Sequence, residues 1–82
     1  MNYRLSFKIE AERDLKRLSP EIARRILRKI ERLRNDLAGD VKRLVHYTPG
    51  FRLRVADWRV LFDVEGDMIV IWRVVHRSDA YE

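Results

Sequence analysis

Phe51-Arg52-Leu53-Arg54-Val55-Ala56-Asp57-Trp58-Arg59-Val60-Leu61-Phe62 alternates apolar and polar side chains, the period of a strand with one face buried. Phe51, Leu53 and Val55 fall on one face, and Arg52 and Arg54 on the other. After a short turn near Ala56-Asp57, Trp58, Val60, Phe62 and Val64 fall on one face with Arg59 opposite. Two adjacent strands of this pattern set three guanidiniums on one sheet face, and no acidic residue stands between Arg52 and Arg54 to neutralise them. Like charges crowded on a sheet face repel one another, so this face is expected to meet something anionic.

Upstream, Tyr3, Leu5 and Phe7 alternate with polar residues and predict a first strand. Ala11, Leu15 and Leu18 then take helical spacing, with Glu10, Glu12, Arg13, Lys16 and Arg17 on the wet side. Ser19-Pro20-Glu21 is a restart: serine can cap, proline fits the first helical position, and a carboxylate suits the positive helix end. Ile22, Ile26, Ile30, Leu33 and Leu37 make an apolar stripe through a second helix, and Gly39 suits a left-handed C-terminal cap. From about Lys42 the period changes to two: Arg43 to Tyr47 is expected as a strand and Thr48-Pro49-Gly50 as a turn. Downstream of Phe62, Glu65-Gly66-Asp67 is another turn, Met68 to Val75 reads as a central strand apolar on both faces, and His76 to Glu82 as a polar tail. The predicted order is β-α-α-β-β-β-β, an α+β fold. A helical hairpin covers one face of a mainly antiparallel sheet, and the other face, open at least in part, carries the arginines.

The chain has 82 residues, and a single domain spanning 1–82 is expected. It is 46% hydrophobic, enough for a small core, and it has no cysteine, which excludes a disulfide framework and a thiolate metal site. A domain this small without such staples is marginal alone, and a partner or a dimer is expected to supply part of its stability. The net charge is +5, with arginine far outnumbering lysine. Arginine is the bidentate, always-charged phosphate ligand, so the balance favours nucleic acid. The N-terminus carries no signal-peptide core, and the longest apolar run, Met68-Ile69-Val70-Ile71-Trp72, is too short to span a bilayer. No membrane partner and a cytoplasmic location are therefore expected.

With these elements in order, the chain resembles the RelE/ParE superfamily of toxins from toxin–antitoxin pairs. Three segments carry the resemblance: the Ala11-x-x-x-Leu15-x-x-Leu18 helix followed by Ser19-Pro20 and a second helix; Phe51 to Phe62, which is similar to the family's "YRLRVGDYRVIY" core; and His76-Arg77-Ser78-Asp79-Ala80-Tyr81, which is similar to its terminal "HRxDVY". RelE-like members are mRNA endonucleases acting in the ribosomal A site and neutralised by a cognate antitoxin. The resemblance therefore implies an antitoxin protein, the ribosome and mRNA as partners. Matched motif by motif, the family's functional residues fall on Arg52, Arg54, Arg59, Arg77 and Tyr81. Two departures stand out. Some RelE-like enzymes carry lysine where Arg52 and Arg54 stand. Ala56 replaces the family's usual turn glycine, which suggests a turn that needs no positive φ at that position.

The reaction the resemblance implies is attack of a 2′-OH on the adjacent phosphorus with loss of the 5′-oxygen; it requires no metal, water nucleophile or small-molecule cofactor. Guanidiniums suit stabilisation of the extra phosphoryl charge. They do not suit proton removal, because arginine does not deprotonate. Arg59 and Arg77 are expected to clamp the scissile phosphate, Arg77 also helping the leaving oxygen, and Arg52 and Arg54 to hold flanking phosphates. Tyr81 would orient or deprotonate the 2′-OH, or stack on a base. His46 and His76 are the other candidates for proton transfer. Each residue has a plainer alternative: Arg52 and Arg54 as a solvated sheet face, Arg59 paired with Asp57, Asp63 or Asp79, and Tyr81 as a C-terminal anchor. The alternative function is a ParE-like toxin that inhibits DNA gyrase by binding, without RNase activity.

Overall fold

The computed structural model describes residues 1–80. Its elements are β1 (Arg4–Phe7), α1 (Ile9–Lys16), α2 (Pro20–Arg32), β2 (Val41–Arg43), β3 (Phe51–Val55), β4 (Trp58–Glu65) and β5 (Met68–His76), followed by a 3₁₀ turn, Arg77–Asp79. The five strands form one sheet in the order β1-β5-β4-β3-β2. β1 runs parallel to β5 and every other pairing is antiparallel. The parallel pair is possible because the two helices lie between β1 and the rest of the sheet in sequence, long enough for a crossover. The α+β order and the mainly antiparallel sheet are as expected.

The core forms where the apolar faces of the strands meet the helices. Ala11 from α1, Ile26 and Ile30 from α2, and Leu33 pack with Leu53, Val55, Val60, Phe62, Ile69, Ile71 and Val74. Phe51 stacks on Phe62 with ring centroids 5.3 Å apart, which fastens the far end of the β3–β4 pair. α2 starts as its sequence dictates: Ser19 Oγ accepts from the Ile22 N–H at 3.3 Å and Pro20 occupies the first helical turn.

Its end departs from expectation. Helix α2 stops at Arg32 with Leu33 as C-cap, and the left-handed conformation falls on Asp36 (φ 55°) and Leu37 (φ 59°) instead of on Gly39. Leu37 is therefore outside the helix. Gly39 has a different job, at φ 133°: a Cβ built there would lie 2.9 Å from Leu53 Cδ1, so the chain must pass close to the core. The next strand is also displaced. β2 covers Val41–Arg43 rather than Arg43 to Tyr47, with Val41, Lys42 and Arg43 opposite Leu53, Arg52 and Phe51.

The sheet contains two hairpins with two-residue loops, Ala56-Asp57 between paired Val55 and Trp58, and Gly66-Asp67 between paired Glu65 and Met68. Gly66 has φ 62° and Ala56 has φ 53°. Ala56 thus adopts the left-handed conformation that the usual glycine would supply, contrary to the expectation of a turn without it. The right-handed twist of paired strands selects such loops, and that tertiary demand outweighs the local preference of alanine.

β1 ends opposite Ile71, where the Lys8 N–H donates to the Ile71 carbonyl. Beyond it, the outer edge of β5 has no strand partner among the described residues, and α1 covers it. The carboxylate of Asp14 accepts from the Val74 N–H at 2.9 Å and from Arg73 Nε and Nη2 at 2.8 and 3.0 Å. Asp14 is only 8% exposed. Burial by itself would raise its carboxyl pKa, but the Arg73 and Val74 bonds outweigh burial and hold it below the ordinary carboxylate value. Asp14 thus closes an edge that would otherwise be open to another strand.

Candidate functional site

Strand register settles which basic side chains share the sheet face away from the helices. Directly opposite residues lie on the same face. One row across the sheet is therefore Lys42, Arg52, Leu61 and Arg73, and the next is Arg54, Arg59 and Val75. The Arg54 N–H donates to the Asp40 carbonyl, extending that second row by one residue on the β2 side. Arg54 and Arg59 are a direct cross-strand pair of like charges, as the alternation of residues 51–62 requires.

The guanidiniums are not unneutralised, as the sequence suggested. Asp40, just ahead of β2, serves both members of β3. Its Oδ2 accepts from Arg54 Nε at 2.7 Å. Its Oδ1 and backbone carbonyl accept from Arg52 Nη1 at 3.3 and 3.0 Å. The hydrogen bond from Arg54 holds the Asp40 carboxyl below its usual pKa against the opposing effect of desolvation, with a further contribution from the Arg52 hydrogen bond. Placing β2 too far along the chain hid this residue. With the strand at its true position, Asp40 and Lys42 fall at alternate sites on the arginine face.

The face is also less open than expected. Arg52 is 7% exposed and Arg59 8%. Arg59 Nη1 donates to the Ala56 and Trp58 carbonyls, both at 3.0 Å, which ties its fork to the hairpin loop. Arg54 and Arg77 are the accessible members, with side chains 54% and 64% exposed.

Arg77 reaches the same end of the sheet from another direction. His76 pairs with Trp58 across β4–β5, its ring edge-on to the indole at 5.3 Å. The next residue then bends into the 3₁₀ turn, where the Arg77 N–H donates to the Asp57 carbonyl at 2.7 Å and its Nη1 lies 4.0 Å from Asp57 Oδ1. His76 Nδ1 accepts from the Ser78 N–H at 3.3 Å and stabilises that turn. His76 is thus engaged in structure. The fold brings Arg54, Arg59 and Arg77 around the Ala56-Asp57 loop, with Arg52 one row deeper. Tyr81 lies outside the described residues. His46, at φ 68°, is exposed in the loop after β2.

Two residues of this region had no signal in the alternation of residues 51–62. Arg73 stands at a register shift between β4 and β5, where the strand period breaks. Its partner Asp14 sits among the charged residues of α1 and gives no hint of burial. Among the described residues no helix is long and apolar enough to cross a membrane.

Two helices packed against a five-stranded mixed sheet place this chain with the RelE/ParE superfamily of type II toxins. Residues 5–81 match the family described as the ParE toxin of the type II toxin–antitoxin system, parDE, and the chain belongs to that family. It is 36% identical over 75 residues to toxin RelE3 of Methanocaldococcus jannaschii, covering 85% of each chain. The fold matches the RelB–RelE antitoxin–toxin complex of Methanococcus jannaschii with a TM-score of 0.75 and 32% identity, over 93% of this chain and 94% of that one. It matches the archaeal RelE–RelB complex of Pyrococcus horikoshii OT3 with a TM-score of 0.77 and 25% identity, over 98% and 100%. The protein is a toxin of a type II toxin–antitoxin system.

Proposed function

We propose that this toxin is a ribosome-dependent mRNA endoribonuclease that inhibits translation. In the reaction a 2′-OH loses its proton and its oxygen bonds to the adjacent phosphorus. The bond from phosphorus to the 5′-oxygen breaks, and that oxygen takes up a proton, leaving a 2′,3′-cyclic phosphate and a 5′-OH end. The gathering of Arg54, Arg59 and Arg77 around one hairpin loop is the observation that supports this reading. Arg59, its fork fixed on two carbonyls, and Arg77 clamp the scissile phosphate; donors already held in place need no reorganisation as charge develops. Arg77 also assists the leaving oxygen. Arg54 holds a flanking phosphate, with Arg52 behind it on the shared Asp40. Tyr81 orients or deprotonates the 2′-OH or stacks on a base, and a Tyr81→Phe variant with full cleavage activity removes the proton-transfer role.

A cognate antitoxin neutralises the toxin, a reading supported by the solved RelB–RelE antitoxin–toxin complexes that the fold matches. A basic site favours a partner that brings acidic groups to it, so the on-rate of the antitoxin falls as salt rises. The decisive experiment is to induce the toxin and map mRNA 5′ ends. New ends within translated codons that vanish in Arg77→Ala support the endoribonuclease. Intact mRNA together with gyrase-linked DNA breaks supports binding to gyrase instead, the reading that the ParE family match keeps in view.

A further inference from the structure

Arg59 and Arg77 are placed by different means. Arg59 is fixed through its own side chain, 8% exposed with its fork on two carbonyls. The Arg77 side chain is 64% exposed, and among the described residues its guanidinium makes one ion pair, with Asp57 at 4.0 Å. A pair that long and that open holds a flexible side chain poorly. The position of Arg77 must therefore come from its backbone. That backbone is a single 3₁₀ turn, Arg77–Asp79, whose closing bond from the Ala80 N–H to the Arg77 carbonyl is 3.4 Å long. One weak bond does not repay the several dihedrals that such a turn fixes. Two further bonds hold it. The Arg77 N–H donates to the Asp57 carbonyl at 2.7 Å and ties the turn to the β3–β4 loop. The Ser78 N–H donates to His76 Nδ1 at 3.3 Å, and Ser78 Oγ lies 3.0 Å from the same nitrogen. His76, extended at φ −69° and ψ 149°, thus caps the turn as serine or asparagine caps a helix.

We propose that His76 is a positioning residue for Arg77: its Nδ1 cap sets the direction in which the guanidinium leaves the sheet, while its ring touches neither RNA nor the reacting atoms. Three observations carry this. A backbone N–H can only donate, so Nδ1 presents its lone pair to Ser78 and the ring proton lies on Nε2. That lone pair cannot accept a proton from a 2′-OH without giving up the turn. Register sets His76 opposite Trp58 and Val74 opposite Val60 on the core face, whereas Arg59 and Val75 share the other face. The imidazole is therefore on the side of the sheet away from the arginine rows. There it packs edge-on to the Trp58 indole with centroids 5.3 Å apart, so one ring fastens the end of β5 to β4 and orders the turn that follows. The effect on cleavage rests on the endoribonuclease reading; the effect on the turn does not.

Two variants of the full chain separate the cap from the packing. His76→Asn keeps an acceptor on Cγ and loses the ring; His76→Phe keeps a ring against Trp58 and loses the acceptor. Hydrogen exchange of the Arg77 amide, bonded to Asp57, reads the turn directly: protection falls at least about tenfold in His76→Phe and stays within about threefold of wild type in His76→Asn. Single-turnover cleavage of mRNA on a programmed ribosome follows the same order. His76→Phe slows the step about 10–100-fold at saturating toxin with apparent affinity unchanged, the size of effect that a misplacement of about 1 Å produces, and His76→Asn stays within about threefold. In an Arg77→Ala background His76→Phe slows cleavage no further, the non-additivity of residues that act through one group. A His76→Asn variant as impaired as His76→Phe, or more so, overturns the proposal by showing that the ring serves packing alone. So does a His76→Phe variant with wild-type protection and rate. An additive loss with Arg77→Ala overturns it too, because the imidazole then acts by itself. If the wild-type toxin cuts no mRNA, the endoribonuclease reading fails, and the exchange of the Arg77 amide still decides whether His76 holds the turn.

Discussion

Ala56→Gly should stabilise the protein. The β3–β4 and β4–β5 hairpins have two-residue loops of the same form, Ala56-Asp57 and Gly66-Asp67, and their first residues have φ 53° and 62°. A residue with a Cβ pays about 1–2 kcal/mol in the left-handed region, which glycine does not. Glycine in turn gives the unfolded chain more freedom, worth about 0.4–1 kcal/mol in the opposite direction. Ala56 is exposed, so little burial is lost with its methyl group. The balance is a gain of about 1 kcal/mol, which in a domain of this size raises the melting temperature by about 4–8 °C. Gly66→Ala is the reciprocal test. A Cβ there meets nothing within 4 Å, so any loss comes from the backbone alone, and a fall of similar size is expected. Thermal unfolding by circular dichroism, with denaturant midpoints at constant m-value, measures both. If Ala56→Gly leaves the midpoint unchanged or lowers it while Gly66→Ala lowers it, the strain assigned to Ala56 does not exist.

Other substitutions test other joints of the structure. Asp14→Ala strands the Val74 N–H and frees Arg73, a loss of about 2–3 kcal/mol. Because the Asp14 pKa is depressed in the folded state, its contribution is complete above the unfolded carboxyl value near 4 and disappears as pH falls through the folded value; acid-unfolding curves of wild type and variant should converge over that interval. Gly39→Ala drives a Cβ to 2.9 Å from the buried Leu53 side chain, and chemical denaturation should register a loss of about 1–3 kcal/mol. Asp40→Asn removes the anion shared by Arg52 and Arg54. If Asp40 braces Arg54 by its Nε edge with the terminal nitrogens left for phosphate, binding of single-stranded RNA weakens although the site becomes more positive; tighter binding would mark Asp40 as a competing counter-ion.

The fold was legible wherever a period persisted. Residues 51–62 alternate cleanly because one face is buried, and that alternation carries the β3–β4 pair, its register and the shared face of Arg52, Arg54 and Arg59. The start of α2 was legible because Ser19-Pro20 is a local signal that tertiary contacts do not override. Its end was not, since the apolar stripe continues through Leu37 while the chain has already left the helix to reach β2. A short β2 of Val41–Arg43 offers too few residues for a period, so Asp40 and Lys42 could not be assigned to the arginine face. Burial of Arg52 and Arg59 was equally invisible, because periodicity gives the face a side chain occupies and says nothing of what covers it. Asp14 belongs to the same class: it is buried by the edge of β5, a neighbour sixty residues away in the chain.

The most direct test of the proposed chemistry is a single 2′-deoxy substitution in an mRNA presented to the toxin on a programmed ribosome. With the 2′-OH present immediately before the scissile phosphate, the upstream product should end in a 2′,3′-cyclic phosphate; with that one hydroxyl removed, cleavage at that bond should cease while binding persists. A deoxy substrate cut at the same bond, or an upstream product ending in a 3′-OH, would contradict the 2′-OH mechanism.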